Sequence, residues 1–226
     1  MPQRALDSAT VESVDVRGIR LARDDAAHRK VGGIVLPAME ELGYRSSDLP
    51  LVVQPDPHGR PNVEAFSSQG GISVTPELLV DPDPGRPVWV LSEEVGHRYL
   101  NEIFGIPHGG DFLNRFAQEA FGSWFQCHRM LRPGLYSPEA ISTEPIEEHI
   151  PSPDLGLVLG KHAGSSVAGS YKSAERLEEW YASPLGDPAF KARVRDAIEG
   201  FQAGDSPEAV AREITRLHSA ARASGC

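Results

Sequence analysis

Residues 88 to 101 read Val-Trp-Val-Leu-Ser-Glu93-Glu94-Val-Gly96-His97-Arg-Tyr-Leu-Asn, two adjacent carboxylates and a histidine inside an apolar run. Pro87 suits the first turn of a helix and Gly105 its end, so the spacing predicts one helix from about Val88 to Phe104. Positions four apart share a helical face, which brings Glu93 and His97 to a common point with Glu94 beside them. The apolar stretches Val88–Leu91 and Tyr99–Leu100 argue that this helix is buried. Buried carboxylates need a cation, a metal ion or a raised pKa. A second element must therefore pack against the helix and complete the compensation.

The next helix supplies a candidate. After the loop Ile106-Pro-His108-Gly-Gly110, Asp111 can cap a long helix reaching about Leu131, where Arg132-Pro133-Gly134 ends it. Within it, Glu119 is a single carboxylate among Phe116, Ala120, Phe121, Trp124 and Phe125. Glu119 lies 22 residues beyond His97, which allows one helix to end and the other to return antiparallel, with Glu119 near the level of His97.

Taken together, residues 62 to 125 resemble the core of the gluzincin metallopeptidases, including the CaaX-prenyl-protease-like group. The resemblance rests on Asn62-Val-Glu-Ala-Phe66, Gly70-Gly71-Ile72-Ser-Val74, Leu78-Leu79, the Glu94, Gly96 and His97 positions of an H-E-x-x-H helix, and Glu119-Ala-Phe-Gly122. It covers a quarter to a third of the chain, and it departs from the family where Glu93 stands in place of the first histidine. It implies an α+β, zincin-like fold with a small mixed sheet, two active-site helices and a helical C-terminal subdomain. It further implies one divalent metal ion on Glu93, His97 and Glu119, with Glu94 activating water for hydrolysis of a peptide or amide bond. A Glu/His/Glu set is harder than one with two imidazoles, which moves the preference from zinc toward manganese or iron. Two other readings stay open: a catalytically degenerate metallopeptidase-like protein that binds peptide without cleaving it, and a repurposed metal enzyme of small-molecule metabolism. In the metal-free case, protonated His97, Arg98 or Arg115 would neutralise the carboxylates. His108, in the loop, is a possible replacement ligand. His149 and His162 are possible accessory groups for substrate or for a developing oxyanion.

Composition excludes several classes. The formal charge of −10, from 32 acidic and 22 basic residues, offers no basic stripe for nucleic acid. No run approaches the roughly 20 apolar residues of a membrane span, and the N-terminus lacks an apolar signal core, so a cytoplasmic location is expected. Cys127 and Cys226 form neither a C-x-x-C pair nor a disulfide framework. Substrates, rather than polynucleotides or lipid, are the expected partners.

Along the chain, Val14, Val16, Ile19 and Leu21 suggest an arm or edge strand, and Asp24–Leu42 a helix kinked or broken around Gly32, Gly33 and Pro37. A strand is expected at Leu51–Val53, two strands or one bulged strand at Val63–Phe66 and Ile72–Thr75 around Gly70-Gly71, and a helical turn at Pro76–Val80. The organisation predicted is a zincin-like part at 1–131, a proline-rich connector at 132–152, and a helical subdomain at 153–226 with helices near 153–168, 172–183, 187–203 and 206–223. The last carries an apolar stripe of Val210, Ile214, Leu217 and Ala221.

Overall fold

Short β-branched runs bounded by glycine and proline form a five-stranded mixed sheet. In a computed structural model of the chain, the residues described are 14–16, 19–21, 26–45, 50–54, 64–68, 71–81, 85–131, 182, 184, 186–201 and 205–224. The strands are β1 (Val14–Val16), β2 (Ile19–Leu21), β3 (Pro50–Val53), β4 (Ala65–Ser68) and β5 (Gly71–Val74), in the spatial order β1-β2-β3-β5-β4. The β2–β3 and β3–β5 pairs are parallel, and both edge strands, β1 and β4, pair antiparallel. At the start of β5, Gly71 has φ +127°, and a Cβ there would lie 2.1 Å from the Pro50 carbonyl oxygen. Only glycine allows β3 and β5 to approach this closely at that point.

The parallel β2–β3 pair requires a crossover, and helix α1 (Ala26–Glu41) provides it. Contrary to the expected break, Gly32, Gly33 and Pro37 lie within a single helix. Its buried face, Val31, Val35, Ala38 and Met39, joins Leu51, Ile72 and Val74 of the sheet in the core, and that burial outweighs the weak local propensity. Buried His28 also accepts a hydrogen bond at Nε2 from the Val53 N–H, 3.2 Å, which ties α1 to β3.

The short helix α2 (Pro76–Leu79) is capped by Thr75 and leads into α3 (Gly85–Phe104), which starts three residues before the expected Val88. Gly105, at φ +69°, ends α3, its N–H reaching the Asn101 carbonyl and that of Ile106 the Leu100 carbonyl. Helix α4 (Phe112–Leu131) begins as expected at Asp111, whose Oδ1 accepts from the Asn114 N–H at 3.0 Å. Every residue of α3 from Leu91 to Leu100 is buried, because α1, α4, β4 and the last helix all pack on it. A helix apolar on only one face could not occupy this position.

Two further helices complete the described part. Helix α5 (Pro188–Gly200) is capped by Asp187, which accepts from the N–H groups of Ala189 and Phe190. Helix α6 (Pro207–Ala223) buries the predicted stripe of Val210, Ile214, Leu217 and Ala221 and packs chiefly on α4. The 132–152 connector and the helices expected at 153–168 and 172–183 lie outside the described residues, apart from Ala182. Among the described residues, no helix is long and apolar enough to cross a membrane.

One buried ionic network locks the far ends of α1, α3 and α4 together. Glu41 of α1 accepts from Arg129 Nε at 3.3 Å and lies 2.7 Å from His128 Nε2. Arg129 also donates to Ser92 Oγ of α3, 3.0 Å. His128 is buried in this network and serves a structural role. With both ion-pair partners buried, the network fixes the relative rotation of the two helices that carry the site.

Candidate metal centre

The register of α3 against α4 follows from four approaches between named residues. Gly96 faces Gly122, where a Cβ on Gly96 would lie 3.3 Å from the Gly122 Cα. Glu93 meets Gln126, and His97 meets Gln118 and Gly122. Rising numbers on one helix match falling numbers on the other, so the helices are antiparallel, and the glycine pair lets their backbones nearly touch. Glu119 is thereby brought to the level of His97, as its spacing predicts.

Four ionisable side chains converge in this interior: Glu93 is 8% exposed, Glu94 7%, His97 2% and Glu119 5%. Such a concentration of buried carboxylates marks a site rather than a solvated helix face. Ligand-capable atoms of His97, His108 and Glu119 lie within 4.8 Å of one another. The His97 and His108 rings stack with centroids 4.4 Å apart and planes 18° from parallel.

His108 thus stands with His97 and Glu119 in the grouping that the sequence assigns to Glu93. Glu93 remains adjacent, with Oε1 3.8 Å from His97 Nε2, but its Oε2 accepts from Gln126 Nε2 at 2.7 Å. That amide turns one carboxylate oxygen away from the histidines. The loop delivers His108 because Gly105, Gly109 and Gly110 all adopt positive φ (69°, 104° and 80°), which folds Pro107-His108 back over α3. Helical periodicity carries no trace of this, and the only sequence signal is a histidine flanked by proline and two glycines.

Gln118 fixes which nitrogen His97 presents. Its amide NH2 donates to the Ile106 carbonyl, which can only accept, so its Oε1 faces His97 Nδ1 at 3.2 Å. The proton of neutral His97 then resides on Nδ1, and Nε2 is left with its lone pair toward Glu93 and the cleft. The same amide anchors the loop two residues before His108, so one side chain sets both imidazoles. Gln118→Leu is expected to lower metal affinity by about 10- to 100-fold with the fold retained, and Gln118→Glu, which keeps the acceptor at His97 Nδ1 but sets a second acceptor against the Ile106 carbonyl, should lose affinity as well. Competition against a chelating dye measures this, and equal affinities for all three proteins would remove Gln118 from the site.

Glu94 lies under β4. Burial raises its pKa to about 8, the negative charge of Glu93 adds to the rise, and hydrogen bonds from the Ser67 hydroxyl and backbone N–H oppose it. Its Oε2 is buried with no hydrogen-bond partner among the described residues. Ser67 carries no motif and was not legible in the sequence.

A cavity of about 250 Å³ opens beside the two imidazoles, with Phe66 and Ser67 on one wall and Arg98 and Asn101 on another. Arg98 pairs with Glu102 of its own helix, and Arg115 is exposed. On α6, Glu213 pairs with Arg216, and His218 Nε2 lies 2.9 Å from Asn114 Oδ1. His149 and His162 lie outside the described residues, as does the side chain of Cys127. No family model, curated protein or solved structure matches this chain.

Proposed function

We propose that the chain is a zincin-like, metal-dependent hydrolase of peptide or amide bonds whose metal is held by His97, His108 and Glu119. The observation that carries this reading is the approach of those three side chains to within 4.8 Å beside a buried glutamate. Two imidazoles and one carboxylate are the donor set of hydrolytic zinc sites, so His108 would restore the nitrogen lost where Glu93 replaces histidine and return the preference toward zinc. Ligand atoms around a tetrahedral zinc stand about 3.3 Å apart, given bonds of about 2.0 Å. Closing on an ion therefore asks for a shift on the order of 1 Å, which the glycine-flanked His108 loop can supply.

A bound divalent ion would polarise the substrate carbonyl and acidify a water in the cleft. The chain's own residues do the rest. Glu94 takes the water proton on its carboxylate as the oxygen attacks the carbonyl carbon, and returns it to the nitrogen as the C–N bond breaks. Ser67 holds that carboxylate in place through two hydrogen bonds. Gln126 holds one oxygen of Glu93, and Gln118 keeps the proton of neutral His97 on Nδ1, leaving the Nε2 lone pair for the metal.

Elemental analysis of protein purified without chelator tests the ligand set. Near-stoichiometric metal is expected in the native protein and in Glu93→Ala. His108→Ala and Glu119→Ala should lose more affinity than the roughly 10- to 100-fold that outer-shell partners cost. Metal lost on Glu93→Ala but kept on His108→Ala would instead restore the Glu93, His97 and Glu119 set. A native protein that retains no ion after incubation with zinc, manganese or iron would turn the reading to a metal-free peptide-binding protein.

A further inference from the structure

We infer that Arg98 and Asn101 form a carboxylate-binding subsite, so that the substrate is a short peptide or acylated amino acid cleaved next to its free C-terminal carboxylate. This rests on the hydrolase reading for its chemistry, but the subsite itself stands on the cavity walls. Arg98 follows His97 directly, and Asn101, four residues beyond His97, lies about 6 Å further along α3. Both line the same cavity as the two imidazoles. One residue of extended chain spans about 3.3–3.6 Å. A carboxylate one residue past a carbonyl held at His97 and His108 therefore stays within the cavity that Arg98 and Asn101 line.

The guanidinium is built into the wall rather than waving above it. Arg98 is only 8% exposed, its terminal nitrogen donates to Glu102, and the Tyr44 hydroxyl donates to the other oxygen of Glu102. This chain of contacts orients a planar, always-charged group before any ligand arrives, which lowers the ordering cost of binding. A neutral ligand end would cover that charge without replacing its hydration, whereas a carboxylate forms charge-assisted hydrogen bonds with it. The protein's net charge of −10 gives anions no general attraction, so selectivity must come from this local cation. At about 250 Å³, the cavity is smaller than those that enclose drug-sized ligands, which suits one or two residues. Phe66 and Pro107 provide apolar walls for a side chain or acyl group.

The test is binding of N-acetyl-L-alanine and N-acetyl-L-alaninamide to the metal-free full chain, followed by NMR, where neither turnover nor a metal–carboxylate bond can intervene. The acid is expected to bind about tenfold or more tightly than the amide and to shift the Asn101 side-chain amide signals. Arg98→Met should abolish that preference, Arg98→Lys should keep part of it, and Asn101→Ala, which leaves the Tyr44–Glu102–Arg98 chain intact, should reduce it. Equal affinities, no binding of the acid at millimolar concentration, or a preference that survives both Arg98→Met and Asn101→Ala would overturn the subsite. None of those results touches metal retention. Conversely, failure to retain metal with the acid preference intact would remove the hydrolase reading alone.

Discussion

Glu94→Gln is expected to abolish turnover, leave metal content unchanged, and make the metal-free protein more stable at pH 8. The first two effects follow from its place beside the His97, His108 and Glu119 group without being a member of it. The third follows from burial, which raises its pKa from 4.5 to about 8. Below pH 4.5 the carboxyl is neutral in both folded and unfolded chains and costs nothing. Between pH 4.5 and about 8 the unfolded chain releases the proton while the folded chain keeps it, so the folded state binds more protons and stability falls as pH rises. Each unit of that window is worth about 1.4 kcal/mol, a loss on the order of 4 kcal/mol by pH 8. Glutamine is neutral in both states and removes this slope. A bound cation should also remove it by favouring the ionised carboxylate. Urea unfolding at pH 5 and pH 8, with and without metal, measures all of this. Identical pH slopes for the metal-free native and variant proteins would contradict the buried-carboxyl assignment, and residual turnover would exclude Glu94 as the base.

Gly122→Ala is expected to dismantle the site at little cost in stability. A Cβ at position 122 would lie 2.8 Å from His97 Cε1 and 3.1 Å from both His97 Nδ1 and Glu93 Cγ. The imidazole cannot simply swing aside, because Gln118 holds its Nδ1 and His108 covers its face. Overpacking of this kind costs about 1–3 kcal/mol, and alanine returns about 1 kcal/mol of helix propensity over glycine. The net change in unfolding free energy should stay within about 2 kcal/mol while metal affinity falls by 100-fold or more, a larger effect than an outer-shell change produces. Measuring both on one sample separates them. Unchanged metal affinity would show that the close α3–α4 approach does not set the position of His97.

These two residues mark the limit of what could be read in one dimension. The buried α3 helix, its carboxylates, and the antiparallel return that levels Glu119 with His97 are consequences of apolar runs and helix length, which are local quantities. The cap at Asp111 and the buried stripe of α6 were equally legible, because each depends on residues within a turn or two of one another. In α1 the glycine and proline propensities point to a kink or break, and the core on which the helix packs overrides a break.

By itself the sequence determined the buried helix pair and the presence of Glu93, Glu94, His97 and Glu119 in it. Tertiary structure alone decided which side chains meet. His108 reaches His97 through three positive-φ glycines, Gln126 holds one oxygen of Glu93, Gln118 chooses the His97 tautomer, and Ser67 of an edge strand holds Glu94. The physical reason is range. Burial and helicity follow from periodicities of a few residues, whereas these polar contacts are mostly made by residues 11 to 33 positions apart, and loop dihedrals and helix rotation fix them without leaving any periodic signal.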